Sequence, residues 1–137
     1  MQQSISLNWN EAMSFESTLN GHKIVIDADE AVGGKNTGPR PKPLLMLALA
    51  GCTAMDVISM LGKMRVQPDS FKVDVEGELT EEHPKVYSKL HVKYIFSGSD
   101  LPMEKLEKAV NLSQEKYCGV SAMLAKASEL SFEIIIE

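Results

Sequence analysis

Cysteine is scarce in this chain of 137 residues: Cys52 and Cys118 are its only two. No disulfide framework of the small secreted kind can be built from them. Arginine is equally scarce, represented by Arg40 and Arg65 alone. Lys and Arg nowhere gather into a run, and the net charge is −5, so a surface for nucleic acid or an anionic membrane is excluded. The N-terminal stretch MQQSISLNWN lacks a basic region leading into an apolar one, so it does not read as a secretion signal. A cytoplasmic, reducing location is therefore expected, where two cysteines are either thiols with a chemical task or inert core. There is no C-x₂-C pair, and His22, His83 and His91 are scattered over three segments. That spacing offers no metal ligand set without tertiary approach, and no metal or other bound cofactor is expected. Repeats, low-complexity tracts and linker-like composition are absent too. With 44% hydrophobic residues, a single domain over residues 1–137 with one real core is expected.

What the chain does have is pattern. SISLNW and MSFEST alternate apolar and polar residues, and HKIVIDA follows the turn signal Asn20-Gly21. Three short strands in an antiparallel meander are predicted. EAVGGKNTGPRPKP, residues 30–43, is too rich in Gly and Pro for long regular structure and reads as a loop. It leads into PLLMLALAGCTAMDVISML, residues 43–61, a long apolar helix with Pro43 in its first turn. Asp56, Ser59 and the Gly51-Cys52-Thr53 step interrupt the run, so a central helix buried on most of its circumference is preferred to a membrane span. SFKVDVEGELTEE and KVYSKLHVKYIFSG then predict a hairpin around Glu82-His83-Pro84 with one solvated face. Asp100-Leu101-Pro102-Met103-Glu104 reads as a helix start, running to about Lys116. A shorter helix follows Cys118, and LSFEIIIE closes the chain as a strand. The fold class is α+β in the order βββ-α-ββ-αα-β, with antiparallel sheets around the central helix.

A cysteine reacts as its thiolate, so a reactive one needs a cation, a helix N-terminus or a hydrogen-bond donor. Cys118 stands before the turn that opens a helix, where backbone N–H groups are unpaired. Cys52 lies mid-helix with Asp56 one turn later on the same face, and burial and a carboxylate both raise a thiol pKa. From residues alone, Cys118 is the more acidic thiol and Cys52 an ordinary buried cysteine. Asp56 either pairs with a cation or satisfies a hydroxyl partner. Ser121 can donate to Cys118 but reads as a surface serine. Met46, Met55, Met60, Met64 and Met123 read as core filler that also suits an adaptable apolar pocket.

GPRPKPLLMLALAGCTAMDV (residues 38–57) and YCGVSAML (residues 117–124), in this order, resemble the two cysteine motifs of the OsmC/Ohr family of osmotically inducible and organic-hydroperoxide-resistance proteins. The likeness covers essentially the whole chain and is nearest to the OsmC-like branch. It implies an intertwined homodimer with thiol sites at the subunit interface. It also implies a cysteine-based, peroxiredoxin-like peroxidase in the stress response, acting on small organic hydroperoxides or other apolar electrophiles. By that match Cys52 is the peroxidatic and Cys118 the resolving cysteine, and an external dithiol such as a lipoylated protein reduces the disulfide.

Two departures from the family pattern stand out. The glutamate expected early in the central helix is replaced by Lys42 and Pro43, and neither arginine lies in the N-terminal strands. At about 1.5 Å per helical residue, Arg40 is roughly 18 Å along the axis from Cys52. Only a partner subunit folding the preceding loop over the site would bring Arg40 or Lys42 to it; otherwise both are solvated loop charges. Two alternatives stay open beside hydroperoxide reduction: a redox or thiol protein without peroxidase activity, and a dimer binding a small apolar ligand.

Overall fold

The alternating stretches become strands and the long apolar run a helix in the computed structural model, which describes residues 1–137. The chain divides into two compact units, Met1–Leu45 and Met46–Glu137.

In the first unit β1 (Asn8–Glu11), β2 (Ser14–Leu19) and β3 (His22–Ile26) form an antiparallel sheet in the order β1-β2-β3. Leu19 pairs with His22 across Asn20 and Gly21, whose φ angles of 51° and 82° are those of a two-residue turn matching the strand twist. β1 begins later than its sequence pattern predicts. Its pairing with β2 starts at Asn8 opposite Glu16, so Ser4 to Leu7 have no ladder partner and stay outside the strand. The Gly- and Pro-rich segment forms one short 3₁₀ turn at Glu30–Val32, capped by the Asp29 side chain accepting from the Ala31 N–H, and otherwise runs close against β3. A Cβ on Gly34 would lie 2.0 Å from the Ala28 carbonyl oxygen, and one on Gly38 would lie 2.2 Å from that of Val25. Only glycine permits that approach. Asp27, 3% exposed, ties the loop down by accepting from the N–H groups of Ala28, Lys35 and Thr37 and from the Thr37 hydroxyl at 2.6 Å. These hydrogen bonds, the Thr37 hydroxyl first, hold its carboxyl at about 2.

Helix α1 (Pro43–Lys63) carries the chain into the second unit, where β4 (Ser70–Leu79), β5 (Tyr87–Ser97), α2 (Met103–Leu112), α3 (Gly119–Leu124) and β6 (Glu129–Ile136) follow. The predicted order βββ-α-ββ-αα-β is the observed one. β4 and β5 form the expected antiparallel hairpin, and the His83–Pro84 peptide in its loop is cis. β6 departs from the antiparallel expectation: it pairs with β5 in parallel, from Lys89 opposite Glu129 to Phe96 opposite Ile136. A parallel neighbour requires a crossover connection, and here the helices α2 and α3 supply it. As the middle strand of the order β4-β5-β6, β5 buries Tyr87, Leu90, Val92, Tyr94, Ile95 and Phe96.

Against β5 pack Leu49, Val57 and Leu61 of α1 and Leu106, Ala109 and Val110 of α2. Each large aliphatic side chain removed from water there contributes about 1.5–3 kcal/mol. Phe71 of β4 stacks on Phe96 at 4.6 Å between ring centroids. On α1 only Leu49, Thr53, Val57 and Leu61 are buried, positions i, i+4, i+8 and i+12 of one stripe. The helix is thus not buried on most of its circumference by its own chain, as its composition suggests. Leu47, Met55 and Ile58 on the opposite side are exposed, and Gly51 and Gly62 beside them have nothing within 4 Å of an added Cβ. By length and composition α1 could cross a membrane; one stripe of it, Leu49, Val57 and Leu61, packs into the core with β5 and α2.

α2 starts at Met103, with Pro102 rather than Asp100 at its N-cap and no side-chain cap. Asp100 has a left-handed φ of 52°, incompatible with a helix entry at that residue. The helix also stops short of Lys116. From Ser113 to Tyr117 the backbone widens into a π turn, closed by the Cys118 N–H donating to the Ser113 carbonyl at 2.7 Å.

Candidate functional site

The π turn ends in extended backbone at Cys118, which is the N-cap of α3. Its Sγ accepts from the Ser121 N–H at 3.3 Å, so the sulfur takes the place an oxygen occupies in an ordinary cap. Cys52 approaches from α1. Its sulfur hydrogen-bonds with the Cys118 side chain and accepts from the Val120 N–H in the first turn of α3. Asp56 stands one turn beyond Cys52 on the same side of α1. The two sulfurs and a carboxylate oxygen of Asp56 all lie within 4.8 Å of one another.

The two thiols differ in access. Cys118 is 3% exposed, whereas Cys52 is only partly buried. Burial pushes the Cys52 thiol above the ordinary cysteine range, aided by its hydrogen bond with Cys118 and by the negative potential of Cys118 and Asp56; the Val120 N–H pulls the other way. This agrees with the electrostatics read from the helix alone: nothing cationic relieves Cys52 within its own unit.

Asp56 is placed by a chain of hydroxyls. Ser113 donates to Asp56 Oδ2 at 2.9 Å, Thr53 Oγ1 lies 2.7 Å from Ser113 Oγ and 2.6 Å from Tyr94 Oη, and Gln114 Nε2 donates to Tyr94 Oη. A carboxylate only accepts, so every hydroxyl is oriented: Tyr94 donates to Thr53, Thr53 to Ser113 and Ser113 to Asp56. Thr53 and Ser113 are fully buried. Tyr94 is held above the usual phenol range chiefly by burial, against its hydrogen bonds with Thr53 and Gln114.

Of the residues singled out in the sequence, Cys52, Cys118 and Asp56 come together. Asp56 meets a hydroxyl rather than a cation. Arg40 and Lys42 belong to the first unit. The Arg40 guanidinium donates to the Gly38 carbonyl and to Asn36 Oδ1, both at 2.8 Å, and faces Asp29 at 3.6 Å; it is committed to its own loop. Lys42 is exposed. Arg65, the only arginine of the second unit, is exposed at the far end of α1. Ser121 is not on the surface: it is 1% exposed and its hydroxyl has no partner. Sequence reasoning missed Thr53, Tyr94, Ser113 and Gln114. The one available signal was Thr53, a hydroxyl at helical spacing inside the stripe Leu49, Val57, Leu61.

A groove of ≈ 420 Å³ opens beside the site, lined by Asp56, Ser59, Met60, Lys63, Met64, Leu112 and Tyr117. Its methionines and Tyr117 offer an adaptable apolar wall with Asp56 at one side.

The sequence profile of the family described as OsmC-like protein matches residues 34–133. Protein YhfA of Escherichia coli is 33% identical over 132 residues, covering 94% of this chain and 96% of its own length. The crystal structure of a hypothetical protein from Aquifex aeolicus, 29% identical, superposes with a TM-score of 0.83 over 100% of this chain and 98% of its own. The organic hydroperoxide resistance protein OhrB of Bacillus subtilis shares the fold at 18% identity, with a TM-score of 0.64 and 98% of each chain covered.

Proposed function

The chain belongs to the OsmC-like protein family, and we propose that Cys52 and Cys118 act in it as a dithiol that reduces organic hydroperoxides. One observation carries this reading: a partly accessible sulfur lies within 4.8 Å of a second, buried sulfur. The accessible Cys52 is the attacking thiolate. It takes the distal oxygen of the hydroperoxide, the O–O bond breaks, and the alkoxide leaves as the alcohol after protonation. The Cys52 sulfenic acid condenses with the Cys118 thiol, releasing water and forming the disulfide. The balance is one hydroperoxide and two thiols giving one alcohol, one water and one disulfide. An external dithiol in a reducing cytoplasm returns both thiols. No resident metal or organic cofactor takes part in this cycle. The Met-lined groove beside Asp56 suits an alkyl or aryl peroxide. A homodimer is part of the reading, because the bare apolar side of α1 at Leu47, Met55 and Ile58 is the kind of surface a second copy covers.

A second reading is favoured by the charges acting on Cys52, which are acidic rather than basic. A thiol in such surroundings suits exchange with a disulfide or another electrophile as well as attack on a peroxide. The test is to treat fully reduced protein with one equivalent of cumene hydroperoxide, block remaining thiols at once and measure intact mass without reductant. Rapid loss of two hydrogens with both cysteines protected from the blocking reagent is expected, and Cys52→Ser abolishes it. Oxidation by a small disulfide but not by the peroxide supports the second reading. Two alkylatable thiols after both treatments would refute both and leave the apolar groove as a ligand site.

A further inference from the structure

We propose that the reduced site is also a zinc site, with Cys52, Asp56 and Cys118 as ligands, and that the bound cation withholds both thiols from oxidation. The two cysteines are not adjacent in sequence, so no local motif announces this; the fold assembles it. Cys52 and Asp56 sit at i and i+4 of α1, the spacing that puts two ligands on one helix face, and the crossover brings Cys118 to them. All three donor atoms lie within 4.8 Å of one another. In a tetrahedral site with Zn–S near 2.3 Å and Zn–O near 2.0–2.2 Å, neighbouring ligand atoms are about 3.4–3.8 Å apart. A side-chain closure of about 1 Å therefore completes the triangle.

Two further features favour a cation here. The donor set of two sulfurs and one carboxylate oxygen is that of a borderline-soft divalent ion, for which zinc is the fitting choice. Asp56 is also already oriented from behind: Ser113 donates to its Oδ2, and Thr53 and Tyr94 fix Ser113. Zinc ligands are commonly held this way by outer hydrogen bonds. Three protein ligands leave a fourth position, and the partial exposure of Cys52 and Asp56 gives water access to it. Binding replaces two thiol protons, which pass to solvent, with one zinc ion. The ion is an inhibitor of oxidation in this scheme and takes no part in turnover. Nothing in it depends on peroxide chemistry, since a dithiol that never meets a peroxide binds zinc equally well.

The experiment uses the full-length, fully reduced protein under anaerobic conditions. Cobalt(II) is added as a spectroscopic probe, and zinc(II) is then titrated in competition with a chromophoric chelator. One cobalt per chain with a thiolate-to-metal charge-transfer band and tetrahedral d–d bands is expected, and zinc displaces it. Asp56→Asn weakens zinc binding by about tenfold or more, and Ser113→Ala by about tenfold through the outer hydrogen bond; circular dichroism checks that both variants are folded. Zinc-loaded protein resists alkylation at both cysteines. Absence of the charge-transfer band, or zinc affinity unchanged in folded Asp56→Asn, overturns the three-ligand site.

Discussion

Replacing Thr53 by valine keeps the shape of a fully buried side chain and removes its hydroxyl. Two hydrogen bonds disappear, at 2.6 Å with Tyr94 Oη and 2.7 Å with Ser113 Oγ. Their orientation decides the size of the effect. Ser113 loses a donor yet keeps its own bond to Asp56, whereas Tyr94 is left with an O–H proton and no acceptor. A neutral buried bond is worth about 0.5–1.5 kcal/mol, and an orphaned buried donor costs about 1–3 kcal/mol. Thr53→Val is expected to destabilise by about 3 kcal/mol. At about 2.1 cal/mol/K per residue, that lowers Tm by roughly 10 °C. Thr53→Ser keeps both bonds and loses one methyl group, about 1 kcal/mol. In urea unfolding the order wild type, Thr53→Ser, Thr53→Val is therefore predicted. Tyr94→Phe removes the orphaned donor, so the double variant Thr53→Val/Tyr94→Phe is less destabilised than the sum of the singles by about 1–2 kcal/mol. If valine is tolerated as well as serine, or the double variant shows simple additivity, the hydroxyl chain does not hold α1 to the sheet as described.

Three other predictions follow from separate parts of the molecule. The Asp27 carboxyl is held at about 2, below its ordinary 3.8, so its contribution is complete above the ordinary value and is lost as pH falls through the folded one. Protection of the Lys35 and Thr37 amides, taken relative to their intrinsic exchange rates, should fall between about pH 4 and pH 2, and Asp27→Asn should show no such transition. Because burial and the neighbouring Cys118 and Asp56 raise the Cys52 thiol, its alkylation by iodoacetamide should still be climbing with pH where a free cysteine has levelled off. Asp56→Asn should move that rise only slightly to lower pH, since burial is the main cause, and a wild-type profile that levels off together with a free cysteine would contradict the assigned cause. Met55→Asp sets a charge on the bare side of α1, where Met55 is 73% exposed, and should convert the proposed homodimer to a folded monomer in sedimentation velocity. Unaltered sedimentation would mean that nothing covers that side.

The elements with strong period were legible in the sequence. The β4–β5 alternation, the Asn20-Gly21 turn and the Pro43 helix start all rest on local backbone preference, which the residues themselves carry. What escaped depends on partners distant in the chain. The parallel pairing of β6 could not be read because LSFEIIIE alternates alike whichever strand direction it meets. The late start of α2 escaped because Asp100 reads as an N-cap, while tertiary structure sets it in a left-handed turn. At the site, Cys52 and Asp56 could be placed together from helical spacing alone, but Ser113 and Tyr94 join them only through the fold. Ser121 misled for the same reason: a serine in a short polar break reads as exposed until the crossover buries it.

The π turn from Ser113 to Tyr117 makes the position of Cys118 a matter of length more than of residue type. Closing from Cys118 back to Ser113 spends one residue more than an α turn would. Delete one of the exposed residues inside it, such as Glu115, and an ordinary helix could continue, carrying every later side chain about 100° around the axis. Both sulfurs would survive in such a deletion, each in its own helix and neither facing the other. Substitutions at the same position would leave the meeting intact, so in this chain a single-residue gap is a deeper change than any exchange of side chain at that turn.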